Sequence, residues 1–120
     1  MTTGADWEST SAEANRLVFG ARNATYDHPS IDYGRTAELF SALTGVELST
    51  REAVCFMLCV KLSRISAAMQ HEFPADMVRD SIVDLAGYAD CLYGVWESDQ
   101  EFAMADELDD LLGHIERDED

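Results

Sequence analysis

Apolar residues recur at helical spacing along this chain, and no stretch alternates apolar with polar positions as a half-buried strand does. After Thr10-x-x-Glu13, a capping-box pattern, Ala14, Leu17, Val18 and Ala21 follow i, i+3, i+4, i+7 spacing, which predicts a first helix over about 10–24. Residues 1–9 before it are expected to fray. The segment Tyr26-Asp27-His28-Pro29-Ser30 breaks this helix, because Pro29 restricts His28 to extended geometry, and Ser30 is expected to cap the next helix. That second helix carries Tyr33, Ala37, Phe40 and Leu43 on one face and stops at Gly45. Ser49-x-x-Glu52 is a second capping box and opens a helix over about 50–69. The middle of that helix, Ala53 to Val60, is apolar on every side, which predicts the most central element of the fold. Pro74 lies in the link from Gln70 to Ala75, Asp76 is a suitable cap, and a fourth helix is predicted over about 77–97. Met104, Leu108, Leu111 and Ile115 then return at helical spacing, predicting an acidic amphipathic helix that frays into Asp118-Glu119-Asp120. The pattern as a whole predicts an all-α protein, a four-helix bundle domain over 10–97 with an acidic helical extension over 98–120.

Composition agrees with a single core, since the chain has 120 residues, 47% of them hydrophobic, with two Trp, five Phe and four Tyr. Charge adds more. Eight Lys and Arg stand against twenty-four Asp and Glu, a formal net charge of −16, and Lys61 is the single lysine. Such a surface repels nucleic acid and anionic membranes. No run approaches the ~20 apolar residues of a membrane-spanning helix, and the first residues lack the basic and apolar regions of a secretory signal, so the expected location is the cytoplasm. Glu97 to Asp120 hold eleven acidic residues and only Arg117 as a base, leaving −10 there and −6 on the rest. The terminal helix therefore has two readings: a solvated helix whose apolar stripe packs back onto the bundle or onto a twin subunit, or an arm that binds a partner. Cys55, Cys59 and Cys91 are odd in number, and the first two lie inside an apolar helix, which predicts buried thiols. The absence of CxxC and the scatter of His28, His71 and His114 argue against zinc.

Candidate chemistry concentrates in two short helical stretches. Lys61 and Arg64 are three apart and share a helix face, where both can donate to phosphate oxygens. Asp80 and Asp84 are four apart and also share a face, with Gly87, Tyr88 and Cys91 in line with them. Two stacked carboxylates suit a hard cation such as Mg²⁺, which takes oxygen ligands and bridges to substrate phosphates. The same four residues equally suit a structural ion-pair network, with Lys61 or Arg64 paired to Asp84 and Asp80 in the favourable first turn of its helix. Glu38 is a candidate third carboxylate or simply an exposed helix residue. Arg22, Asn23, Tyr26, Asp27 and His28 gather polar groups around the first interhelical turn, as a binding site or as a capped turn. No nucleophile elbow, Walker loop, GxGxxG or HExxH occurs, which argues against hydrolase chemistry of the serine or zinc kind.

Four blocks in order carry a resemblance: Arg22-x-x-x-Tyr26-x-x-Pro29; Tyr33-x-Arg35-x-Ala37-x-Leu39-Phe40-Ser41-Ala42; Met57-x-x-x-Lys61-Leu62-x-Arg64; and Asp80-Ser81-x-Val83-Asp84-Leu85-Ala86-Gly87-Tyr88-Ala89. Over about residues 15–97 this resembles a family of small phage and prophage proteins, a domain of unknown function grouped loosely with all-α nucleotide pyrophosphohydrolases of the MazG and dimeric dUTPase kind. The resemblance implies a MazG-like bundle that forms a homodimer or higher oligomer, in host cytoplasm if phage-encoded. It implies Mg²⁺ on Asp80 and Asp84, with Glu38 as a further ligand and the two aspartates as the catalytic pair. Lys61, Arg64, Arg22 and Tyr26 would then contact the phosphates of a nucleotide. The EExxE half of the pyrophosphohydrolase motif is missing, since Glu38 stands alone on its helix and Glu52 lies at a helix cap. Three expectations result: a Mg²⁺-dependent nucleotide binder or hydrolase, a non-enzymatic effector that binds a host protein through its acidic surface in the manner of a DNA mimic, or a homo-oligomeric accessory protein.

Overall fold

A computed structural model describes residues 8–20 and 27–118, with side chains as far as 113. The described residues form four α-helices and no strand: α1 (Thr10–Phe19), α2 (Pro29–Thr44), α3 (Thr50–Gln70) and α4 (Ala75–Asp118). This is the predicted all-α bundle, with its acidic terminal helix present as the continuation of α4.

Local chemistry sets the boundaries, with some corrections. The α1 cap is Ser9 and not Thr10, the Ser9 hydroxyl accepting from the Ala12 amide at 3.4 Å. Glu13 is thereby released from a capping box and meets Arg79 of α4 instead, at 3.1 Å. The helix ends at Phe19, short of the predicted 24, because Gly20 turns the chain where any Cβ would lie 2.3 Å from the Arg16 carbonyl oxygen. Residues 21–24 lie outside the described residues. At α2, His28 and not Ser30 is the cap: its Nδ1 accepts from the Ser30 amide at 3.1 Å, with Pro29 in the first turn, where its missing N–H does no harm. Gly45 ends α2 as predicted, with φ of 74° and its N–H donated to Ser41 O. Leu43 is 86% exposed, so the apolar face predicted for α2 is buried only around Tyr33, Ala37 and Phe40. The second capping box is complete: Ser49 Oγ accepts from the Glu52 amide and Glu52 Oε1 accepts from the Ser49 amide, both at 3.1 Å.

The core is built where α3 and α4 run side by side. Val54 and Val95 are fully buried beside Cys91, with Val18, Tyr33, Tyr88 and Leu92 packed around them, so all four helices reach one cluster. The other buried apolar residues are Val83 and four alanines, Ala14, Ala37, Ala53 and Ala68, whose small size lets the helix axes approach. α1 approaches α4 closely at Gly87, where an added Cβ would stand 3.2 Å from Val18 Cγ2. Two expectations fail here for one reason. Cys55 and Cys59 are exposed, as are Phe56 and Leu62, so α3 is not central and only Cys91 is a buried thiol. Within the described chain only α2 and α4 pack on α3, and two neighbours cover one side of a helix that is apolar all round.

α4 extends 44 residues, roughly 66 Å at 1.5 Å per residue, where a helix over 77–97 and a separate one after it were expected. No proline interrupts it, and the Glu, Ala, Met and Leu that come after Asp99 favour its continuation. It passes the start of α3 at Asp99, whose carboxylate receives Arg51 Nε at 2.8 Å while the same guanidinium lies 3.7 Å over the Trp96 ring. Beyond that clamp no described helix accompanies it. Every side chain from Glu101 to Leu112 is exposed, so the stripe of Met104, Leu108 and Leu111 does not pack back onto the bundle. The molecule is accordingly elongated, 76 × 37 × 22 Å, with a radius of gyration of 19.8 Å against roughly 14 Å for a compact chain of this length. No helix among the described residues is long and apolar enough to cross a membrane.

Val95→Ala should destabilise the chain by about 2 kcal/mol through a cavity in the shared cluster, while Leu108→Ala on the solvated arm should stay within about 0.5 kcal/mol; urea unfolding followed by circular dichroism distinguishes the two. The capping hydrogen bonds from Ser49 hold the Glu52 carboxyl below its ordinary value of 4.5. A depressed folded-state value means that its contribution is complete above 4.5 and disappears as pH falls through the lowered value. The melting temperature of wild type should therefore fall more between pH 5 and pH 3 (roughly the carboxylate range) than that of Glu52→Gln.

Candidate functional site

The single lysine sits on the inward side of α3, a position where an unpaired ammonium is strongly unfavourable. Lys61 is 8% exposed, and its Nζ lies 2.9 Å from Asp84 Oδ2 on α4. Asp84 keeps 30% of its side chain exposed, so the pair has a buried base and an acid that still faces solvent. The open side of Asp84 looks into a cleft of about 160 Å³. Each wall of this cleft is one face of a helix: Ala14, Leu17 and Val18 from α1, Pro29, Asp32 and Tyr33 from α2, and Val83, Asp84, Gly87, Tyr88 and Cys91 from α4. Tyr33 and Tyr88 meet edge to face, with ring centroids 6.4 Å apart at 78°. Gly87 keeps the floor open, since its hydrogen leaves the space that a side chain would fill.

The predicted site residues divide. Asp84 and Lys61 come together as an ion pair, and Asp84 lines the cleft. Asp80, one turn earlier on α4, and Arg64, one turn after Lys61 on α3, are both exposed and outside the cleft lining. Glu38 opens on a separate groove with Glu47, Glu52 and Asp99, away from Asp84. Arg22 and Tyr26 lie outside the described residues. The carboxylate that does join Asp84 is Asp32, which was not among the predicted site residues. Its signal was present: Pro29, Asp32 and Tyr33 have i, i+3, i+4 spacing and so share one face of α2.

Among the described residues no three His, Cys, Asp or Glu side chains gather around one point. The cleft offers two carboxylates, one of them already accepting from Lys61. That donor set suits a hard divalent cation that arrives with its own phosphate oxygens, because Mg²⁺ is commonly held by one or two protein carboxylates plus substrate and water.

Residues 10–95, which contain all eleven cleft-lining positions, match the family described as Domain of unknown function (DUF6378). The chain belongs to the DUF6378 family. It is also similar to the Gene 55 protein of Mycobacterium phage D29, 36% identical over 90 residues, which are 75% of this chain and 55% of that protein. The DUF6378 chain thus spans about half the length of that phage relative, and it is a phage-type protein. No solved structure matches it. The DUF6378 match stops at Val95, just before the Arg51–Trp96–Asp99 clamp, so the family region coincides with the bundle and leaves out the arm.

Removing the acid of the buried pair should matter more than removing both partners. Asp84→Ala should cost about 3 kcal/mol, because it leaves the Lys61 ammonium buried and unpaired, whereas Lys61→Met combined with Asp84→Leu should recover most of that loss. Chemical denaturation of Asp84→Leu, Lys61→Met and the Lys61→Met/Asp84→Leu double variant gives the coupling directly.

Proposed function

We propose that this DUF6378 protein binds a nucleotide as its Mg²⁺ complex in the cleft between α1, α2 and α4. The observation that carries this reading is that Asp32 and Asp84 line one cavity whose wall is the Tyr33–Tyr88 pair. Aromatic and aliphatic walls favour a flat organic ring, and the two carboxylates favour a cation beside it. Among the described residues the base hydrogen-bonded to a cleft carboxylate is Lys61, and Asp84 already neutralises it, so the cleft offers a bare phosphate no free partner there. A divalent ion between carboxylate and phosphate supplies that partner. The cleft of about 160 Å³ is smaller than the roughly 300 Å³ of the smallest typical small-molecule sites. It therefore takes one ring or one cation-bound group of the ligand, with the remainder outside. Bound Mg²⁺ would be held by Asp32 and Asp84 and would supply charge neutralisation. Lys61 holds the Asp84 carboxylate in place, and Gly87 keeps the space for the ligand. The proposal is for binding: the nucleotide as ligand class is what the resemblance of the four sequence blocks implies, while the missing EExxE half supplies no group to activate a water.

A thermal-shift panel of nucleoside mono-, di- and triphosphates, each with Mg²⁺ and with EDTA, tests this. At 100 times its dissociation constant a ligand stabilises the fold by about 2.7 kcal/mol. At least one nucleotide should raise the melting temperature with Mg²⁺ and not with EDTA, and Asp32→Asn should lose that rise while keeping the unliganded melting temperature. No shift with any nucleotide, or an equal shift in Asp32→Asn, contradicts the reading.

A further inference from the structure

The outward side of α3 is an apolar feature that the cleft does not use. Cys55, Cys59, Leu62, Ser66 and Met69 succeed one another at intervals of four and three residues, the spacing of a coiled-coil seam over two heptads. All five are exposed, Leu62 at 52% and Met69 at 75%, and Phe56 beside them is 59% exposed. No charged residue falls on the seam, in a chain whose formal charge is −16. Two copies of so acidic a molecule approach closely only through a neutral face, and an apolar helix side with small Cys and Ser positions also lets two backbones come near. The arm of α4 has an apolar stripe as well, but Glu101, Asp106, Glu107, Asp109 and Asp110 beside it would repel the same arm of another copy.

Area points the same way. The chain exposes 8974 Å², where a compact monomer of 13.3 kDa exposes roughly 6,500 Å². The solvated arm and the uncovered side of α3 both contribute to this exposure. A stable interface needs roughly 800 Å² from each partner, and the 21-residue α3, roughly 31 Å long, is the extended uncharged side on which to build it. An isologous contact further requires one face that matches itself, and a straight uncharged helix side meets that condition.

We propose that two copies of this chain pair through the outward face of α3, with α3 against α3 across a two-fold axis and Cys55, Cys59, Leu62, Ser66 and Met69 in the seam. The pairing covers the side of α3 that its own bundle leaves bare. It is independent of the ligand reading, because Lys61 and the cleft lie on the inward side.

Sedimentation equilibrium of the full reduced chain tests it. Wild type should have about twice the 13.3 kDa chain mass. Leu62→Glu, at a position exposed in the single chain, should keep its helical circular dichroism but weaken association at least tenfold (roughly the cost of one charge at a buried seam). Leu108→Glu on the arm should leave the dimer intact. Labelling of Cys55 and Cys59 by a thiol reagent gives a second readout, slow in wild type and roughly tenfold faster in Leu62→Glu, with buried Cys91 as the internal reference. A wild-type chain that sediments as a monomer, a Leu62→Glu dimer, or equal labelling rates would overturn the proposal.

Discussion

One buried ammonium organises this molecule. Lys61 projects from α3 into the side where α4 lies, and burial makes its charge unfavourable unless an acid is placed within hydrogen-bond distance. Asp84 supplies it at 2.9 Å, and the pair fixes both the spacing of α3 and α4 and the rotation of α4 about its axis. With that rotation set, Gly87, Tyr88 and Cys91, the next turns on the same side, face α1 and α2 and become the floor of the cleft. Val95, one turn beyond Cys91, enters the apolar cluster with Val54. A single electrostatic requirement thus orders the core, the cavity and the direction in which the long helix leaves the bundle.

The two ends of the α3–α4 contact use charge differently. Toward the α3 C-terminus, Lys61–Asp84 is largely sheltered, so breaking it has a large effect. At the α3 N-terminus, Arg51 lies on Trp96 and reaches Asp99 at the surface, where solvent weakens the ion pair and the stacked ring contributes by packing. Past this second contact α4 has no described neighbour, and its sequence changes accordingly: apolar residues remain on one stripe while acids fill the rest. The family match ends at the same place, so the bundle and the arm differ in environment, in composition and in whether the family shares them.

Much of the fold was legible in the pattern of apolar residues. Helix type, the complete capping box at Ser49 and Glu52, and the stop at Gly45 all arise from local chemistry that tertiary structure does not override. The caps of α1 and α2 differ from expectation by one or two residues because Ser9 and His28 start their helices earlier, accepting from the Ala12 and Ser30 amides, and sequence spacing does not rank neighbouring cap candidates. The larger difference concerns α3. Apolar residues on every side of a helix predict a central position only when the chain has enough helices to surround it. Here it does not, which turns the same pattern into an uncovered face. At the site, Asp84 and its pairing with Lys61 were readable as one of two alternatives. Asp32 shares a helix face with Pro29 and Tyr33, but that spacing alone did not mark it as a site residue, because a lone acid in a first helical turn has an ordinary explanation in the helix dipole. Only the packing of α2 against α4 gives it a second one.

Ligand binding in the cleft beside Lys61–Asp84 is tested most directly on the lysine itself. Because the chain has one lysine, the NMR signals of its side chain are unambiguous. Titration of the labelled protein with a Mg²⁺–nucleotide should shift the Lys61 side-chain signals together with the ring signals of Tyr33 and Tyr88, with little change along the α4 arm. Shifts confined to the arm or to the outward side of α3, with Lys61 and both rings unmoved, would contradict a ligand site in this cleft.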